Sequence, residues 1–244
     1  MNYKNTSLFI LLNLAVFFAG AQTKQPGQVI ASWKITYDLE LTSSEPAKTP
    51  AAQNEQRRQL KQLTQSLSSA TDNTPPLVGF VSKEYIRIEQ TGIGGGITLA
   101  DKRKTVSYLL DTVTHVATQY PLHKNTTQKK QTGDSLMVIS SKNFVMKLLP
   151  DTMTIAGKLC KKATFTVPNK PKDLITVWYA PDMPRLYWEK YSYLKQLPGC
   201  TLAISTVSHG MNVGIQASMV EEMNVPEEFY LVPGTYKIGI QSVH

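Results

Sequence analysis

Imidazole and thiol are scarce in this chain: four histidines and two cysteines in 244 residues. His115, His123, His209 and His244 show no HExxH or Hx3–5H spacing, so no metal motif is present. No GxSxG elbow occurs, and nothing in the sequence points to a nucleophile with its base. Charged residues make up only 18% of the chain, and no pair of carboxylates stands out as the acid and nucleophile of a glycosidase. Asp151 and Asp173 read as turn residues. No repeat of solenoid length is evident. These absences leave no cofactor to expect and point away from an enzyme.

Long apolar runs are missing too, except at the start. MNYKNTSLFILLNLAVFFAGAQTK carries a charge at Lys4, an apolar run from Leu8 to Phe18, and the small residues Ala19, Gly20 and Ala21. That is the order of a cleavable secretory signal, and a run broken by Asn13 falls well short of the ~20 apolar residues of a spanning helix. Cleavage is expected between Ala21 and Gln22, leaving residues 22–244 as a single β-rich domain. Position 22 is not cysteine, so a bacterial lipid anchor is unavailable there. The expected location is periplasmic or secreted. The net charge of +8 becomes +7 once Lys4 is removed, and its basic residues lie in scattered pairs and triplets such as Arg57-Arg58 and Lys102-Arg103-Lys104. That pattern suits solvated strand and loop faces better than a nucleic-acid block.

What is abundant is alternation. Val29, Ala31, Trp33, Ile35, Tyr37, Leu39 and Leu41 alternate with more polar neighbours, the mark of a long strand with one buried face. Shorter strand-like segments follow: 77–81, 85–90, 96–100, 105–110, 114–120, 135–140 and 144–149, then 158–167, 174–180, 201–207, 212–222 and 236–240. The glycines at 92, 94, 95 and 96 are followed by Ile97, Thr98 and Leu99, which read as strand, so they predict a hairpin turn and not a phosphate loop. Two segments break the β pattern. Residues 43–76 form an insert in which Leu60, Leu63 and Leu67 predict a helix over 51–69 docked by one narrow stripe. Between 180 and 201, Pro184 could open a short helix whose Trp188, Tyr191 and Leu194 share a face.

Two cysteines in an exported chain predict a Cys160–Cys200 disulfide, the alternative being two separate buried thiols.

YIRIEQ, GITLADKRKTVSYLLD with THVATQYP, TIAGKLCKKATFTV, ITVWYAPDMP, LPGCTLAI and VPEEFYLVPGTYKI, taken in that order over residues 77–240, resemble an exported bacterial family of unknown function close to the GLPGLI group. LPGC at 197–200 stands where that group's LPG-containing motif falls. The resemblance implies the open, strongly curved antiparallel sheet of the LolA and LolB lipoprotein carriers, and supplies no catalytic residues.

The expected fold is therefore mainly β: a large curved antiparallel sheet, an open half-barrel, with one or two helices on its concave face. A concave sheet with a cover makes an apolar cavity. The expected function is non-enzymatic binding of a lipid or other hydrophobic molecule, with Trp33, Tyr37, Trp178, Trp188 and Tyr191 as candidate contacts. The first rival is an envelope scaffold whose cavity is filled by its own side chains, and the less favoured second is an enzyme of unrecognised type. No nucleic-acid partner and no membrane anchor in the mature form are expected. N-terminal mass analysis of protein recovered outside the cytoplasm should find Gln22, or its pyroglutamate, as the first residue; retention of residues 1–21 would reject the signal.

Overall fold

A computed structural model describes residues 27–43, 49–51, 54–55, 58, 62, 77–91, 95–122, 128–132, 135–139, 144–167, 170–208 and 211–240. The signal segment and its cleavage point, Ala21 and Gln22, lie outside them, as do Leu60, Leu63 and Leu67. Within the insert, the described residues 50, 51, 54, 55, 58 and 62 are helical and exposed.

The protein is mainly β. The first half of the chain supplies β1 (Val29–Ser43), β2 (Leu77–Val81), β3 (Tyr85–Gln90), β4 (Gly96–Asp101), β5 (Val106–Asp111), β6 (Val116–Pro121) and the separate hairpin β7 (Gln128–Thr132) and β8 (Ser135–Ile139). The second half adds β9 (Val145–Ile155), β10 (Lys158–Val167), β11 (Lys170–Ala180), β12 (Cys200–Ser208), β13 (Met211–Pro226) and β14 (Lys237–Ile240). Twelve of these form one open sheet in the order β14-β6-β5-β4-β3-β2-β1-β13-β12-β11-β10-β9. All pairings are antiparallel except β14 on β6. Strand β7, QKKQT, is too polar to be read from alternation.

Sequence neighbours pair from β1 to β6, from β7 to β8 and from β9 to β13, and β1 joins the first and last of these runs by pairing with both β2 and β13. Local chemistry fixes the turns. Asp101 Oδ1 accepts the N–H groups of Arg103 and Lys104, and Asp111 Oδ1 accepts those of Val113 and Thr114, so DKRKT and DTVTH form alike. Ala156 and Gly157 both have positive φ, 46° and 77°, in the two-residue link between β9 and β10.

The sheet is tightly curled. Lys158 of β10 lies 4.0 Å above the ring of Trp33 in β1, although β13, β12 and β11 separate those strands and a flat sheet would hold them about 19 Å apart. Register shifts at Thr36/Tyr37, Lys161/Ala163 and Trp178/Tyr179 mark the irregularities that allow such bending. The inner face carries the main core: Ile35, Tyr37, Val81, Ile86, Ile88, Phe165, Val177 and Leu202 among others. Into it runs the segment 181–199, whose Leu186, Leu194 and Leu197 have no solvent exposure. This cover is not an α-helix. It is extended through Trp188 and then a 3-10 stretch, Glu189–Gln196, interrupted at Tyr191 by φ −107° and ψ 25°. Leu186 seats over Gly79, where an added Cβ would come within 3.3 Å of its Cδ2.

The outer face has a cover of its own. A 3-10 turn at Glu227–Tyr230 places Phe229 edge-on to Phe80 and stacks Tyr230 on Tyr85, centroids 4.8 and 5.4 Å apart. Tyr230 Oη donates to Ser32 Oγ at 2.7 Å. Arg87 lies over Phe229, and Tyr85 Oη meets both Glu227 and Arg103. The chain then runs past Leu99, Leu110 and Ala117 into β14 on the sheet edge.

The expected Cys160–Cys200 disulfide is not formed: both residues are buried free thiols. Lys161 pairs with Tyr179 and Ala180 with Cys200, so β11 stands between the two cysteines. Two strand spacings put their Cα atoms roughly 9 Å apart, beyond the ~7 Å a disulfide tolerates. Burial pushes the Cys160 thiol up to about 11 and the Cys200 thiol further still. Native protein at pH 8 should therefore resist a thiol reagent such as DTNB, with both thiols released only in guanidinium; fast native reaction, or linked peptides in a non-reducing digest, would overturn this arrangement.

Lys102 ties the inner cover to the turns. Its Nζ donates to the carbonyls of Ser82, at 2.6 Å, and Arg185, at 2.9 Å. Burial, with the Arg185 charge adding to it, lowers its pKa to about 8. The unfolded value is ~10.4, so below pH 8 both states are protonated and the penalty for the buried charge is complete. Between those values the unfolded chain binds the extra proton, and this group's contribution to stability rises with pH. The unfolding free energy of wild type minus that of Lys102→Met should therefore rise from pH 8 towards pH 10 in urea titrations, where a flat difference would show that Lys102 is not desolvated.

Candidate functional site

Beside the inner cover, the inner face of β1, β13, β12 and β11 carries a depression. Leu39 pairs with Ile215, Ile215 with Ile204, and Ile204 with Val177, giving an in-register apolar row across β1, β13, β12 and β11. Ile175 and Val213 flank the row, and Tyr191 and Tyr193 stand over it from the 3-10 stretch. Together they enclose a depression of about 330 Å³ whose wall is mainly apolar.

The aromatic residues behind it form a continuous group. Tyr193 lies 4.7 Å from Phe144 and 5.0 Å from Phe165 between ring centroids, Tyr191 lies 6.2 Å from Tyr193, and Trp188 lies 4.7 Å from Tyr191. Burial raises the pKa of both Tyr191 and Tyr193, for Tyr193 with a further push from Tyr191. Both rings therefore present neutral phenols to the depression at ordinary pH. Among the described residues no group of three His, Cys, Asp or Glu side chains is placed to hold a metal ion, and no helix is long and apolar enough to cross a membrane.

The five aromatic candidates do not converge. Tyr191 lines the depression. Trp188 stands behind it, fully packed in the core. Tyr37 is buried deeper, its Oη donating to the Thr201 carbonyl. Trp33 is half-buried beneath Lys158, and Trp178 points to the outer face, where it lines a different pocket. The residues that build the wall, Leu39, Ile175, Ile204, Val213 and Ile215, are not among the five. Leu39 is visible in the alternation of β1, but only the β1–β13–β12 register shows which aliphatic residues meet it.

No protein-family model matches the chain, and no curated protein matches it. Among solved structures, PNGF-II in two crystal forms aligns over 86% of this chain at 15% and 14% identity, with TM-scores of 0.48 and 0.46. The chain spans 31% of the length of PNGF-II. An uncharacterized conserved protein from Thermus thermophilus aligns over 86% of this chain and 90% of its own at 8% identity, TM-score 0.42. Likeness of this grade carries no information on ligand or activity.

Proposed function

We propose that the chain is an exported, non-enzymatic binding protein that takes an acyl chain or similar hydrophobic molecule into the depression over Leu39, Ile204 and Ile215. The observation that supports this is the open volume of about 330 Å³ lined mainly by apolar side chains. Small-molecule pockets begin at about 300 Å³ and are mostly apolar with a few polar groups. Here the tyrosines at 191 and 193 provide large apolar surface. The carrier-like curved sheet implied by the family resemblance is compatible with such a role, though a fold alone does not assign one.

A second reading has its own observation. Leu186, Trp188, Tyr193, Leu194 and Leu197 already fill the middle of the curl, as expected of a scaffold that needs no ligand.

A titration separates the two. Purified protein should bind a dansyl-labelled fatty acid saturably, with at least micromolar affinity, about 8 kcal/mol. Val213→Trp, which fills the depression from the half-buried rim, should abolish binding while leaving the thermal midpoint near wild type. Tyr191→Ala should weaken binding. Trp188→Ala is a folding variant, because truncating a buried tryptophan costs about 3–5 kcal/mol. Absence of saturable binding to acyl or sterol probes would leave the scaffold reading standing.

A further inference from the structure

The same strands carry a second depression on the outer face, of about 280 Å³ and of opposite character. Gln216 pairs with Ala203, Ala203 with Trp178, and Trp178 with Lys162, so four side chains cross β13, β12, β11 and β10 in one row. The next row runs Glu40, Gly214, Ser205, Thr176. The dip arises because Ala203, Gly214 and Ser205 are small and stand between larger neighbours. Gly214 cannot be replaced without moving the backbone: an added Cβ would lie 2.1 Å from the Ile204 carbonyl oxygen.

The walls decide what could fill it. Trp178 offers an indole, with Lys162 Nζ 5.6 Å from its centroid. Around it stand Glu40, Gln216, Asn212 and Thr176, none of which makes a side-chain hydrogen bond or ion pair among the described residues. One carboxylate faces one ammonium, and Asp151, 3.9 Å from Lys162 Nζ, offsets that ammonium in part. Glu40 and Asp151 together exceed the single Lys162 ammonium by one negative charge, so an anion is disfavoured. A carboxylate, two amides and a hydroxyl serve instead as both donors and acceptors for a neutral ligand rich in hydroxyl groups. An indole supplies a flat apolar surface for the C–H face of such a ligand. We infer that this outer depression binds a neutral saccharide unit, seated against Trp178 and hydrogen-bonded by Glu40, Gln216 and Asn212.

This site is independent of the acyl-chain pocket on the other face. Calorimetric titration of the purified full chain with maltohexaose, cellohexaose and N-acetylchitohexaose should give saturable binding to at least one. Trp178→Ala should weaken it more than tenfold with the thermal midpoint retained, and Val213→Trp, across the sheet, should leave it unchanged. If Trp178→Ala fails to fold, the paired surface variant Glu40→Gln with Gln216→Ala should still weaken binding more than threefold. Heparin oligosaccharides should bind less well than the neutral probe. No saturable binding of the three neutral probes at millimolar concentration, tighter binding of a charged one, or indifference to the variants would overturn the inference.

Discussion

A curled sheet must be filled, and in this protein one irregular segment does the filling. Once β10 bends round until Lys158 reaches Trp33, the inner face encloses a volume that its own strand side chains cannot fill. Residues 181–199 enter it, bury Leu186, Leu194 and Leu197, and stack Tyr193 among Phe144 and Phe165. An α-helix is about 10–12 Å across with its side chains, whereas an extended and 3-10 strip is narrower and suits a tight curl. The strip is held at its start by Lys102 on the Arg185 carbonyl. At its end Gly199 lies against Ala180, where an added Cβ would come 2.1 Å from the carbonyl oxygen. The curl, the strip and its two anchors are thus mutually dependent.

The outer face poses a different problem. Phe80 and Tyr85 point away from the filled interior and would be exposed aromatics on a solvent face. The C-terminal strap removes them from water and binds by aromatic contacts at Phe229 and Tyr230 with a charged fringe of Arg87, Arg103 and Glu227. Its last residues add a parallel strand to β6, which shields that edge from other chains. The opposite edge, β9, has Pro150 in its middle, a residue without an N–H to offer a neighbour.

The inner pocket lies at the margin of the inner cover, under Tyr191 and Tyr193, and the outer one on the opposite face of the same strands. The inner one is apolar because the pleat sends Leu39, Ile204 and Ile215 inward; the outer one is polar because the alternate residues Glu40, Ser205 and Gln216 point the other way. Register shifts beside Trp178 and at Thr36/Tyr37 set which side chains fall on which face. A single slip there would exchange the two linings.

Period-two alternation in 29–41 and the short apolar runs that follow were enough to determine a mainly β chain and most of its strands, because a half-buried strand imprints its pleat on its own residues. The strand at Ile97, Thr98 and Leu99 was equally legible, and it pairs antiparallel with β3. The tertiary structure alone decided the rest. QKKQT forms a strand because it has a partner in SLMVI, not because of its composition. Cys160 and Cys200 remain thiols because β11 lies between them, a fact about strand order that an even cysteine count does not contain. Trp33, Tyr37, Trp178, Trp188 and Tyr191 look alike as aromatic candidates, yet only Tyr191 lines the inner depression. Which face a ring takes, and what stands across from it, depends on registers set between residues as far apart as Leu39 and Ile215.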